Sequence, residues 1–301
     1  MIIINKPFKT TIRQRVCDRF NSKLTYFSIF ASCDNHKMSL YHLISDQLQF
    51  VNPAFYKTRF FKKLNNLTAE NVSSRNVEPE LLWIREYLDR DAIVLEIGAN
   101  VGAYLYQLEK TLPGENIYAF EPNKNLFLRL KRLFPKMHIV PVALSDENTT
   151  AGLKVPIIKG QEIPSRGTLN TSYLEKDEEK SVTQLVEVMK LDDWSEREKL
   201  QRIDFIKIDV EGNEMRTVRG AKQTILKFRP TLMVEIEQRH HDEPVWNLIT
   251  EIEGWKYTAH YLDRQSFRLC PLSEDLLKAQ NSADVKNKKN YINNIIFIPE
   301  S

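Results

Sequence analysis

The sequence predicts an α/β protein: a doubly wound, mostly parallel sheet of about seven strands, with a small helical appendage at its N-terminus. Three observations carry this reading. Short apolar runs alternate with amphipathic stretches from residue 78 onward, the first run ends in a glycine-containing turn, and charge gathers where later runs stop. Residues 1–77 are read as the appendage and 78–301 as the sheet domain, with an insertion at 146–202.

The elements follow in order. Residues 1–77 mix aromatic and basic side chains without a clean period and close in the polar "NLTAENVSSRNVEPE", which suits a few short helices. "EPELLWIREYL" then sets Leu81, Leu82, Ile84, Tyr87 and Leu88 near helical spacing. "AIVLEIG" is a first strand, "VGAYLYQLEKTL" an amphipathic helix, and "NIYAFEP" a second strand after the Pro113-Gly114 turn. A helix through "KNLFLRLKRLF" leads to the strand "HIVPVAL". In the insertion, two short strands, "AGLKVPII" and "QLVEVMKL", enclose the polar "EIPSRGTLNTSYLEKDEEK". An insertion beside the carboxyl edge of a sheet usually shapes a substrate pocket. The alternation resumes with "FIKIDVE", a helix through "EMRTVRGAKQTILKF", Pro230 as breaker, "TLMVEIE" and a helix in "PVWNLITEIEGW". "KYTAHYL" and "NIIFIPE" complete the sheet as a hairpin-like edge pair.

Composition narrows the function classes. A chain of 301 residues, 42% hydrophobic and 28% charged, is an ordinary globular chain and not a disordered one. The net charge of +3 gives no electrostatic reason to propose nucleic acid as partner, and the basic clusters "KTRFFKK" and "KNKK" read as solvated faces. Cys17, Cys33 and Cys270 are odd in number and lack a CxxC spacing, against a disulfide framework or structural zinc. The N-terminus has no signal-peptide core, and no apolar run reaches the roughly 18 residues of a membrane span. The expectation is a soluble, cytoplasmic protein whose oligomeric state the sequence leaves open.

"VLEIGANVGAY" stands where the first strand gives way to the first helix. Gly98 and Gly102 allow a tight turn and close backbone approach, and the following helix start offers free N–H groups. The spacing E-x-G-x-N-x-G departs from the G-x-G-x-x-G dinucleotide fingerprint. Glu121, 25 positions after Glu96, ends the second strand, where a carboxylate accepts two ribose hydroxyls. NAD and S-adenosylmethionine both carry such a ribose, but the acidic Glu96 suits a cationic sulfonium ligand and sits badly beside a pyrophosphate.

Taken in order, "VLEIGANVGAY", "AFEP", "VALSD", "KLDDW", "FIKIDVEGNE" with "VRGA", and "RPTLMVEIE" resemble the FkbM family of class I S-adenosylmethionine-dependent methyltransferases, over roughly Glu78 to Glu300. The family usually carries Asp at the position of Glu96 and often His at that of Asn213. The resemblance implies a Rossmann-like class I methyltransferase fold and methyl transfer from S-adenosylmethionine to an oxygen, with a hydroxyl of a sugar, glycan or other small molecule as acceptor. On it, Gly98, Ala99, Asn100 and Gly102 wrap the amino acid portion of the donor, and Glu96 joins them as a cofactor-binding residue. Glu121 holds the ribose, Pro122 and Asn123 flank the adenosine, and the stretch around Ala143 meets the adenine.

Ligands of open α/β sheets bind beyond the carboxyl ends of the strands. Asp209, Glu211, Glu235 and Glu237 all fall at such ends. Asp209 and Glu211 are candidates for the base that takes a proton from the acceptor hydroxyl, or for orienting it. Lys207 shares their side if the strand continues through Glu211, and would hold one carboxylate ionised. A second arrangement has Asp209 with Glu235 or Glu237 ligating Mg²⁺ or another divalent cation. Structural readings stand beside these: Glu214 against a helix dipole, Gly212 in a turn, Asp192 and Asp193 as helix caps, His240 and His241 in a solvent-exposed loop, and Trp194, Tyr173 and Trp246 in packing. Two other classes remain. A nicotinamide-dependent oxidoreductase is disfavoured by Glu96 and the missing fingerprint, and a non-catalytic donor-binding protein by the full set of strand-end acids.

Overall fold

The computed structural model describes residues 47–281 and 291–300. Cys17, Cys33, the N-terminal "MIIINKPFKTTIRQR" and the "KNKK" cluster lie outside them. Helix α1 (Pro53–Phe60) starts where Asn52 accepts the Phe55 N–H and a proline takes the first turn, which has no amide partner to lose. A capping box of Thr68 and Asn71 starts α2 (Ala69–Arg75), and α3 (Glu80–Tyr87) follows. The chain then alternates through β1 (Val94–Ile97), α4 (Ala103–Leu108), β2 (Ile117–Phe120), α5 (Lys124–Leu133) and β3 (His138–Val140).

Here the structure departs from the sequence expectation. "HIVPVAL" does not run through as one strand: Pro141 has no N–H for a ladder, β3 stops before it, and β4 (Val142–Leu144) joins another sheet. That second sheet, in the order β4-β7-β5-β6, is built from the insertion: β5 (Thr149–Ile158), β6 (Gln161–Glu162) and β7 (Lys180–Met189), with β5 and β7 paired antiparallel. Helix α6 (Leu191–Arg197) returns the chain to the main sheet at β8 (Phe205–Ile208).

The expected helix through "EMRTVRGAKQTILKF" is two helices, α7 (Glu214–Gly220) and α8 (Lys222–Phe228). Asp192 accepts the N–H groups of Gln223 and Thr224 at 3.1 and 2.7 Å, so it caps the second helix and draws its start to Lys222. The chain closes with β9 (Thr231–Glu235), α9 (Trp246–Glu253), β10 (Tyr257–Leu262), β11 (Leu269–Pro271), α10 (Glu274–Leu277) and β12 (Asn294–Pro299).

The main sheet has the order β11-β10-β12-β9-β8-β1-β2-β3. Strands β3, β2, β1, β8 and β9 run parallel, while β12 is antiparallel to both β9 and β10. This is the doubly wound α/β class expected, with eight strands where seven were counted. The extra one is β11, a three-residue edge paired with β10 and too short to stand out as a run. One apolar cluster, with Leu105, Leu130, Phe134 and Ile84, covers one face together with Tyr56 and Leu67 from the segment preceding α3. The other face is covered by Trp194, Val218, Ile225 and Leu248.

Strand β1 lies at the switch point, with β2 on one side and β8 on the other. Its end is clamped between them: the N–H groups of Gly98 and Ala99 both reach Phe120 O at 3.0 Å, and Asp209 N–H reaches Ile97 O at 2.9 Å. Gly98 has φ +86°, and a Cβ placed on it would lie 1.8 Å from the Asp209 carbonyl oxygen. Only glycine permits that approach. Gly98→Ala is expected to cost about 2–4 kcal/mol through overpacking and a strained φ, read as a lowered thermal midpoint; an unchanged midpoint would contradict the close approach of β1 and β8.

Candidate active site

A cleft opens at the carboxyl ends of β1, β2 and β8 and is roofed by the insertion. Its floor is Gly98, Asn100, Glu121 and Asp209, and its apolar wall includes Val142, Ala143 and Leu144. Pro122 and Glu211 line it as well.

Glu121 is 4% exposed and held in place by two amides: Asn100 N–H donates to Oε2 at 2.7 Å and Asn123 N–H to Oε1 at 2.8 Å. Burial pushes its carboxyl up to about 7, with those two amides pulling the other way. Each carboxylate oxygen keeps a further lone pair for a hydroxyl donor. Asn100 adopts φ +51°, and its Oδ1 is buried without a partner in the cleft wall, an acceptor suited to a ligand N–H. A buried acid with spare acceptor capacity, a lone amide oxygen and an apolar wall together fit the ribose, ammonium and adenine of S-adenosylmethionine.

Other sequence-chosen residues do not reach the cleft. Ala99 is buried beneath the turn, and Gly102, at φ +86°, leaves room for Leu130 and Phe134, each 2.8 Å from where its Cβ would be. Asn123 caps α5, accepting the N–H groups of Asn125 and Leu126. Glu96 stands behind the cleft on β1, in register with Lys207 on β8, and one of its oxygens is buried without a partner. Burial pushes its carboxyl up to about 8, opposed by the Lys207 charge.

Lys207 is 2% exposed and donates to Asp209 Oδ2 at 2.8 Å, with its ammonium 4.5 Å from the centre of the Tyr104 ring. Burial works against its charge, but Asp209, Glu96 and Glu235 outweigh it and hold the ammonium protonated well above the ordinary range. Strand β8 ends at Ile208, so the alternation that would set Asp209 and Glu211 on one side does not extend that far. Glu211 instead sits in a turn at φ +47°, followed by Gly212 at φ +93°, and reaches the cleft from there. Its carboxyl is pushed up to about 8 by burial and then by the Asp209 charge.

The acids expected to bind a metal do not converge as a set. Glu235 is half-buried near Asp209; desolvation and then the Asp209 charge raise its carboxyl well above the ordinary range, and it accepts from Asn293 at 2.7 Å. Glu237 is turned away into an ion pair with Arg239. Among the described residues no three His, Cys, Asp or Glu side chains are arranged to hold an ion.

His240 and His241 are not in a solvent-exposed loop. Their side chains are each 6% exposed and diverge, His240 towards Glu211 at 3.6 Å and His241 to Glu214 at 3.0 Å. Glu214 also accepts the N–H groups of Val210 and Gly212, fixing the turn that carries Glu211. Trp194 is a core residue edge-on to Phe120. Tyr173 meets His240 edge-on at 5.1 Å.

The insertion was expected to shape a pocket, but its composition did not mark which residues would line it. Leu153, Pro164, Ser165, Gly167 and Leu169 close the cleft from the insertion. The buried pair Lys154–Glu178, 2.9 Å apart, and Glu175 between Arg166 and Arg239 hold that segment in place.

The profile of the FkbM methyltransferase domain matches residues 96–268, more than half of the chain. The chain belongs to the FkbM family, and so to the S-adenosylmethionine-dependent methyltransferases. It is similar to the 2-O-methyltransferase NoeI of Sinorhizobium fredii, 27% identical over 169 residues that cover 52% of this chain and 68% of NoeI. Methyltransferase 1 of Beauveria bassiana is 23% identical over 184 residues, 55% of this chain and 72% of that protein. A solved FkbM methyltransferase from Methylobacillus flagellatus aligns with a TM-score of 0.43 and 13% identity over 70% of this chain, which spans 44% of that protein's length.

Removing the Lys207 charge leaves buried carboxylates without a counter-ion. Lys207→Met is expected to lose about 3–5 kcal/mol of stability at pH 8 in urea unfolding, and less at pH 6, where the carboxyls raised by burial take up protons and the repulsion falls. A loss that is the same at both pH values would contradict the cluster.

Proposed function

We propose that this protein transfers a methyl group from S-adenosylmethionine to a hydroxyl oxygen of a sugar, glycan or other small molecule. The observation that carries the reading is the placement of Glu211 on the wall of the cleft beside Asp209, where burial and that neighbouring charge push its carboxyl up to about 8. The methyltransferase family of the chain and its similarity to the Sinorhizobium 2-O-methyltransferase support an oxygen acceptor.

Bound in the cleft, S-adenosylmethionine supplies an electrophilic methyl group on a sulfonium. The chain's residues do the rest. Glu121 accepts the ribose hydroxyls, the Asn100 amide oxygen accepts from the ammonium, and Val142, Ala143 and Leu144 cover the adenine. Gly98 lets the turn pass beneath the amino acid portion. Glu211 takes the proton from the acceptor hydroxyl, since a base titrating near the working pH combines an available ionised form with enough basicity. Asp209, its charge compensated by Lys207, orients the same hydroxyl. His240, lowered by burial and by Arg239, stays neutral beside Glu211 and keeps it from being locked in a permanent ion pair.

The pH dependence has two parts. Donor binding needs Glu121 ionised, so affinity for S-adenosylhomocysteine should weaken as pH falls below about 7, and Glu121→Gln should bind about 10–100-fold less tightly without that dependence. Turnover needs Glu211 ionised, so kcat/KM should rise with pH to a plateau above about 8. Glu211→Gln should lower kcat by about 10²–10⁴ and leave affinity for S-adenosylhomocysteine unchanged. An acceptor screen with a labelled donor, followed by these profiles, tests the reading; full turnover by Glu211→Gln would remove Glu211 as base.

A further inference from the structure

A face remote in chain position from the strand-end acids carries an unusual combination. From Leu48 to Ala69 the sequence holds Lys57, Arg59, Lys62 and Lys63 and no acid; from Pro122 to Ser145 it holds Lys124, Arg129, Lys131, Arg132 and Lys136 and again no acid. The fold packs the two together, α1 against α5. Arg129 lies 4.1 Å over the Phe60 ring and Arg132 3.9 Å over that of Phe50, while Lys57 reaches the α5 carbonyl of Leu133 at 3.1 Å. Glu109, paired with Lys57 at 2.6 Å, is the acid that the packing adds at this face. For a chain whose net charge is +3, this is a strongly polarised distribution.

Large apolar side chains stand exposed among these cations. Phe50 and Phe55 are each 53% exposed, Val51 76%, Phe60 45% and Leu128 46%. Single exposed apolar residues are ordinary, but five on one basic, nearly acid-free surface are not explained by packing. Interleaved cations and apolar side chains match a bilayer interface, where lysine and arginine meet anionic headgroups and aromatic and aliphatic groups enter the acyl boundary. Val51 and Leu128 favour this over nucleic acid, because aliphatic side chains give a base nothing to stack on. No helix among the described residues is long and apolar enough to cross a membrane, so such contact would be peripheral.

We propose that the α1–α5 face docks the protein on an anionic membrane surface. The inference stands apart from the methyl-transfer reading, since none of these side chains belongs to the cleft.

The full chain should be floated with vesicles of phosphatidylcholine alone and with vesicles in which about a third of the lipid is phosphatidylglycerol. Binding to the anionic vesicles only is expected, weakening steeply as salt is raised. Lys62→Glu with Lys63→Glu, and separately Val51→Ser with Phe55→Ser, should each reduce binding at least about ten-fold, with thermal midpoints unchanged because all four positions are exposed. No vesicle binding overturns the proposal. So does binding that both variants retain in full, binding to a single-stranded oligonucleotide in place of vesicles, or a wild-type dimer that Val51→Ser with Phe55→Ser returns to a monomer without any vesicle binding.

Discussion

The Lys207 ammonium, buried between β1 and β9 and bonded to Asp209, is the interaction on which the rest of the structure depends. Parallel strands covered on both faces tolerate little but apolar side chains, and apart from Glu96 and Lys207 β1 and β8 are fully apolar. One cation at their centre lets the buried Glu96 and the half-buried Asp209 and Glu235 stand close together. Without it, the sheet would carry uncompensated charge at its middle, and the strand ends could not be acidic. The charge at the mouth of β8 is thus compensated from within the strand itself, two residues earlier.

From this follows the division of labour among the acids. Those behind the cleft, Glu96 and Glu235, are bound up with the cation and the sheet. Those on its wall, Glu121 and Glu211, are held by backbone amides or by a turn and keep capacity towards a ligand. Glu214, though buried and acidic, spends its oxygens on the Val210 and Gly212 amides and on His241, and in doing so sets the position of Glu211. The same side-chain chemistry is therefore buried in support, used to position a neighbour or left facing the cleft according to what each carboxylate already accepts.

Much of this was legible in the sequence because it is local. Apolar runs fix the central strands, Glu121 ends one of them, and the Gly98 turn has a signature spacing. What was not legible is set by contacts distant in sequence. His240 and His241 looked like loop residues because their carboxylate partners lie 29 and 27 positions earlier. Glu237 looked like a partner of Asp209 because both end neighbouring strands, and only the turn after β9 gives it to Arg239. The cleft roof depends on an antiparallel sheet assembled from the insertion, whose polar loop has no period to read. Pro141 was the one local residue whose effect was undercounted, since it moves β4 out of the main sheet altogether.

The most direct measurement is calorimetric titration of the full chain with S-adenosylhomocysteine, and separately with NAD⁺. The account predicts one site of micromolar affinity for the former and no heat from the latter. Binding of NAD⁺ with none of S-adenosylhomocysteine would contradict it.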